Sequence, residues 1–147
     1  MNINDTIVSQ STPKGVGPTA VIRVSGKNSI DIVNKIFPSK DLNKVDSHTL
    51  HFGNIIYDKV IIDEVVISIF KEPRSYTKEN IVEISCHGSE IIIKKIILSL
   101  IDLGARTAEK GEFTFRSFIN GNIDLSQAEA VSDLISGKSE NAHKIAI

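Results

Sequence analysis

The trio Cys86-His87-Gly88 carries residue types found in reaction centres, a thiol beside an imidazole, and could supply a nucleophile with its base or a pair of soft metal ligands. Adjacent residues on a strand project to opposite faces, so these two side chains are poorly placed to act on one atom. The competing reading is a small buried thiol, an imidazole at a strand end, and a glycine that lets the backbone turn or approach a neighbour closely. His48 and His51 lie on a predicted strand with opposite facings and do not make a convincing ligand pair. Gly137-Lys138-Ser139 matches the end of a phosphate-binding loop, which requires a glycine five residues before Gly137 and a strand leading into it. Ser132 stands there instead, late in a predicted helix whose N–H groups are consumed by helical bonds.

Arg23 and Glu83 pose a different question, because each interrupts an apolar run: Val21-Ile22-Arg23-Val24 and Ile81-Val82-Glu83-Ile84. Such charged groups are rarely buried without a partner. Three readings stay open: both lie on the solvent face of a sheet, they pair with each other, or they line a pocket for a ligand that offers a carboxylate and a ring with N–H donors.

These residues need elements to hold them. Thr6, Ile7 and Val8 predict a short strand, and Ser11 to Pro18 a loop punctuated by Pro13, Gly15, Gly17 and Pro18. Val21 to Val24 predict a second strand, followed by a helix over Ile30, Val33, Ile36 and Phe37 that Pro38 ends. Two β-type runs follow, His48 to Ile56 and Glu64 to Phe70, with Tyr57-Asp58-Lys59 as the turn between them. In Ile81 to Ser85 the alternation puts Ile81, Glu83 and Ser85 on one face. The stripe Ile92, Ile93, Ile96, Ile97, Leu100, Ile101 and Leu103 predicts an amphipathic helix, capped at Gly104. A short Ala105 to Ala108 strand and the Phe-rich piece Glu112 to Ile119 lead to the turn pair Asn120-Gly121. Asp124 and Gln127 form a capping-box pattern that opens a last helix through Ala128, Val131, Leu134 and Ile135, whose apolar stripe calls for cover by a partner subunit or further chain. Together the segments predict an α+β domain, a mixed sheet with helices packed on it, ending in a C-terminal helix.

The bulk properties narrow the function classes. A net charge of -1 with scattered basic residues provides no electrostatic footprint for a phosphate backbone, and 5% aromatics without Trp provides few rings on which bases could stack. Cys86 is alone, so neither an internal disulfide nor a zinc spacing is available, and a reducing compartment is expected. The start MNINDTIVSQ lacks a signal-peptide layout, and no apolar run reaches the roughly 18 residues of a membrane span, so a cytoplasmic location is expected.

The motifs DTIVSQSTPKG (Asp5 to Gly15), IRVSG (Ile22 to Gly26), SYTKENIVEISCHG (Ser75 to Gly88) and KGEFTFRSFINGNIDLSQAEAVSDLI (Lys110 to Ile135) resemble, in order and spacing, the start of the MnmE (TrmE) tRNA-modification GTPases. The resemblance implies a folate-binding and dimerisation domain over residues 1–119, similar to the tetrahydrofolate-binding domain of the glycine-cleavage T-protein. Residues 120–147 would then begin a helical domain completed by later chain. It further implies that Arg23 and Glu83 contact 5-formyl-tetrahydrofolate or 5,10-methylene-tetrahydrofolate. The third family contact is a lysine in NGK-x-DL, where this chain has Asn122, so a ligand carboxylate would lose one ionic partner. The family's PPGRGG-like run reads PKGVGP here, with Pro18 removing a backbone donor. Family members act with a flavoprotein partner on the wobble uridine of tRNA, and their GTP, magnesium and potassium sites belong to a GTPase domain expected downstream of these residues. No catalytic residue is expected within this chain itself. The alternative is a purely structural dimerisation domain whose folate site has decayed.

Overall fold

Strand alternation decides which side of this molecule is dry. The computed structural model describes residues 1–136, and Gly137-Lys138-Ser139 lies outside the described residues. In chain order the elements are β1 (Ile7–Gln10), β2 (Thr19–Ser25), α1 (Ser29–Asn34), β3 (Thr49–Tyr57), β4 (Val60–Phe70), β5 (Ile81–His87), α2 (Glu90–Asp102), β6 (Arg106–Thr107), α3 (Glu112–Ile119) and α4 (Leu125–Ser136). The strands form one six-stranded sheet in the order β3-β4-β5-β2-β1-β6, antiparallel throughout except for the parallel β1–β6 pair. The expected α+β architecture with a mixed sheet and a final helix is thus observed.

One face of the sheet is closed by α1 and α2. Ile22 and Val24 of β2, Val65, Ile67 and Ile69 of β4, and Val82, Ile84 and Cys86 of β5 are buried there with Ile93, Ile96 and Leu100 of α2. Each such apolar side chain removed from water contributes on the order of 1.5–3 kcal/mol, so this layer dominates the stability of the domain. Ser89 caps α2 by accepting from the Ile92 N–H, and Gly104 follows the helix with φ 118°, a left-handed position that a Cβ would strain. The opposite face carries the alternate residues of the same strands and is covered only in part, by the 71–80 segment and α3.

Several boundaries differ from the sequence reading. The first helix stops at Asn34 rather than Phe37, the chain continuing through Ile36 and Phe37 as turns that are nevertheless buried. Strand β4 begins at Val60 rather than Glu64, because Asp58 and Lys59 at φ 51° and 63° make a tight turn whose twist lets pairing run up to it. His48 precedes β3 with φ 64°, its ring edge-on to Phe70, so it is no strand partner of His51. Glu112 to Ile119, which had no assigned element, is helical.

That helix is fastened by charge rather than by propensity. Arg116 and Glu112 are fully buried and pair across one turn at 3.1 Å; Glu112 also accepts from both terminal nitrogens of Arg106, and Arg116 reaches Glu79. Arg106 also bonds Asp5, so the network ties the N-terminal segment, β6, α3 and the 71–80 segment together. Burial alone would raise the Glu112 pKa, but the Arg106, Glu109 backbone and Arg116 donors outweigh it and hold the carboxyl at about 2.

Candidate functional site

Arg23 and Glu83 occupy directly opposed positions on the neighbouring central strands β2 and β5, on the face away from the core. Arg23 Nε donates to Glu83 Oε2 at 2.9 Å, with both side chains about a quarter exposed (25% and 24%). Of the readings left open by the sequence, pairing is therefore realised, and the pair also lines clefts. A partly exposed pair of this kind contributes at most about 1 kcal/mol to stability. Among the described residues no protein acceptor takes the Arg23 Nη1 or Nη2 donors. Tyr76 and Phe113 flank the guanidinium, their ring centroids 5.8 and 5.3 Å from its carbon.

Two clefts open beside this pair. A smaller one of about 230 Å³ is bounded by Arg23, Phe70, Tyr76, Ile81 and Glu83. A larger one of about 440 Å³ runs between the β1 side of the sheet, the 108–111 segment, α3 and α4, and shares Arg23 and Tyr76 with the first. Its far wall includes Val131 and Ile135, so part of the α4 apolar stripe faces the cleft while Leu125 remains exposed. Such a site can do recognition chemistry: a carboxylate to accept ring N–H bonds, a guanidinium to donate to oxygen, and aromatic walls to stack on.

Asn122 is placed less directly. Its Nδ2 donates to the Tyr76 carbonyl at 2.9 Å and to Ser117 Oγ at 3.2 Å, and it lines neither cleft. It secures the backbone that carries Tyr76. Ser117 Oγ and Asn120 Nδ2 bind the same segment through the carbonyls of Tyr76 and Thr77. Tyr76, Phe113 and Lys110 were not singled out from the sequence. The one available signal was an aromatic in the otherwise polar 71–80 stretch, since nothing local reveals that α3 folds over it.

Cys86 and His87 do not converge. Cys86 lies in the core at 3% exposure, its thiol pushed up to about 11 by burial and then by the Asp63 charge. His87 is exposed, and its Nδ1 and backbone N–H are 2.8 and 2.9 Å from the two oxygens of Asp63. Gly88 packs against the Gly17 backbone so closely that a Cβ would overlap its carbonyl, and its N–H donates to the Pro18 carbonyl. Close approach is thus the role of this glycine. His51 bonds Thr49 Oγ1, and its pKa is lowered by burial and then by Lys40. Among the described residues no group of three or more His, Cys, Asp or Glu side chains could hold a metal ion.

A family model described as GTP-binding protein TrmE N-terminus matches residues 6–122, a span that includes Arg23, Glu83, Tyr76 and Asn122. This chain belongs to the TrmE amino-terminal family. Similar proteins include the tRNA modification GTPases MnmE of Cytophaga hutchinsonii, 51% identical over 99% of this chain, and of Flavobacterium psychrophilum, 54% identical over all of it. That of Bacillus anthracis is 50% identical over 97% of the chain. In each case the chain spans about a third (32%) of the relative's length. The TrmE match stops at residue 122, just ahead of the capping box that starts α4, where Asp124 and Gln127 exchange side-chain bonds to backbone N–H groups at 2.9 and 2.7 Å.

Proposed function

We propose that this TrmE amino-terminal domain binds a reduced folate, 5-formyl-tetrahydrofolate or 5,10-methylene-tetrahydrofolate, at Arg23 and Glu83. The observation that carries the reading is the Arg23–Glu83 pair, aligned on the open sheet face and opening into clefts walled by Tyr76 and Phe113. Glu83 accepts from the pterin N–H donors, and Arg23 donates to a carbonyl, formyl or carboxylate oxygen. Asn122, the third residue carried over from the family, serves by fixing Tyr76 from behind. The ligand-binding unit covers residues 1–119, and the helix beyond begins a second domain.

In this reading the domain also pairs with a second copy. Leu50 and Phe52 of the edge strand β3 are 71% and 67% exposed and stand in register with Ser68 and Val66, on the same face as Glu83 and Arg23. Such an apolar patch beside the clefts is suited to a symmetric partner. Within a longer protein the domain would hold the carbon donor for wobble-uridine modification of tRNA, alongside a flavoprotein partner and a GTPase domain with its GTP, magnesium and potassium.

The test is calorimetric titration of 5-formyl-tetrahydrofolate into the chain and into Arg23→Ala and Glu83→Ala. Binding to the parent that both substitutions abolish is the expected result; a parent that binds nothing overturns it. The second reading, a structural dimerisation domain with a decayed site, is favoured by Asn122 in place of lysine. It predicts an intact dimer in light scattering, lost in Phe52→Glu, with no folate bound.

A further inference from the structure

The two clefts share a wall, and the residues they do not share differ in chemistry. Arg23 and Tyr76 border both. Beyond them the smaller cleft has Glu83 with Phe70 and Ile81, an acceptor among apolar walls. The larger has Lys110, Ser9, Gln10 and Thr114, with Glu109 also on its lining. We propose that the two clefts form one elongated site divided at Arg23 and Tyr76, and that Lys110 receives the anionic tail of a ligand whose ring sits against Glu83.

Size and charge both point this way. At about 230 Å³ the smaller cleft falls below the roughly 300–1,000 Å³ that encloses a drug-sized ligand, so a molecule seated there must extend past its walls. The shared residues lead into the larger cleft. A carboxylate is repelled by Glu83 at the small end and attracted by Lys110 at the other, which sets the direction of the molecule. Arg23, with Nε committed to Glu83, still has donors for the linking amide or carbonyl at the waist. Asn122 is committed to Tyr76 and Ser117, so the cation for the tail comes from Lys110 rather than from that position. Glu109 on the same lining works against the tail, and its neutralisation should strengthen binding.

This inference rests on the reduced-folate reading, and the experiment separates the two. The intact chain is titrated with 5-formyl-tetrahydrofolate and with a 5-formyl-tetrahydropterin that lacks the aminobenzoyl-glutamate tail. Lys110→Glu is expected to weaken the folate about fivefold while changing the tail-less pterin by less than about twofold, the scale of an exposed charge pair. Glu109→Gln is expected to tighten the folate alone. Equal effects of Lys110→Glu on both ligands, or none on either, overturn the tail assignment and leave the folate reading standing. If neither ligand binds the parent, the folate reading falls and the tail assignment falls with it.

Discussion

Replacing Glu112 by Gln removes the one negative charge at the centre of the buried network while keeping nearly the same shape. In the parent, Glu112 accepts from Arg106 Nη1 and Nη2 at 2.9 and 2.8 Å, from Arg116 Nη2 at 3.1 Å, and from the Glu109 N–H at 2.9 Å. These donors hold its carboxyl at about 2 instead of 4.5, which corresponds to on the order of 3 kcal/mol of stability at neutral pH. Because the folded-state value is the depressed one, that contribution is complete above about 4.5 and is lost as pH falls through about 2. The Gln variant lacks the titrating group and leaves Arg116, fully buried, with Glu79 as its remaining carboxylate. Breaking a buried pair in this way costs about 3–5 kcal/mol. Urea unfolding followed by far-ultraviolet circular dichroism suits a chain without Trp, with protein concentration held constant so that any association is matched. The parent should exceed the variant by about 3 kcal/mol near neutrality, and the gap should close as pH falls from about 4.5 towards 2. A gap below about 1 kcal/mol at neutral pH, or one that ignores pH, would falsify the account of the network.

Three smaller expectations follow from individual contacts. Gly88→Ala should destabilise by about 1–3 kcal/mol in the same unfolding assay, since its Cβ would overlap the Gly17 carbonyl; an unchanged midpoint would mean the 13–18 loop yields freely. Cys86 should resist iodoacetamide in the native protein at mildly alkaline pH and react readily in urea, because its thiol is buried and pushed up to about 11; rapid native labelling would contradict that burial. Asp124→Ala should cost about 1 kcal/mol at the start of α4, read as faster hydrogen exchange there, with unaltered exchange counting against the capping box.

Local periodicity made much of the scaffold legible. The alternation in Ile81 to Ser85 correctly grouped Ile81, Glu83 and Ser85, the Ile-rich stripe located α2, and Asp124 with Gln127 marked the start of α4. Those signals depend on neighbours within one or two turns, which the sequence displays directly. Motif order likewise identified the family on its own, through motifs that lie largely within the matched span, the Lys110 to Ile135 motif running past its end at residue 122. Other features needed the third dimension. That Arg23 faces Glu83 depends on β2 and β5 lying side by side, a pairing across sixty positions whose register is set by the whole sheet. The helix α3 depends on Arg106 meeting Glu112 and on Glu79 and the Asn2 carbonyl meeting Arg116, with Asp5 holding Arg106 in place, contacts that span up to 114 positions. Phe113 and Lys110 reach the larger cleft with α3 and the segment before it, whereas Tyr76 borders both clefts from the 71–80 segment. Periodicity specifies which face of an element is apolar, but the identity of the neighbour comes from packing energy summed over the fold, and the cleft chemistry was decided there.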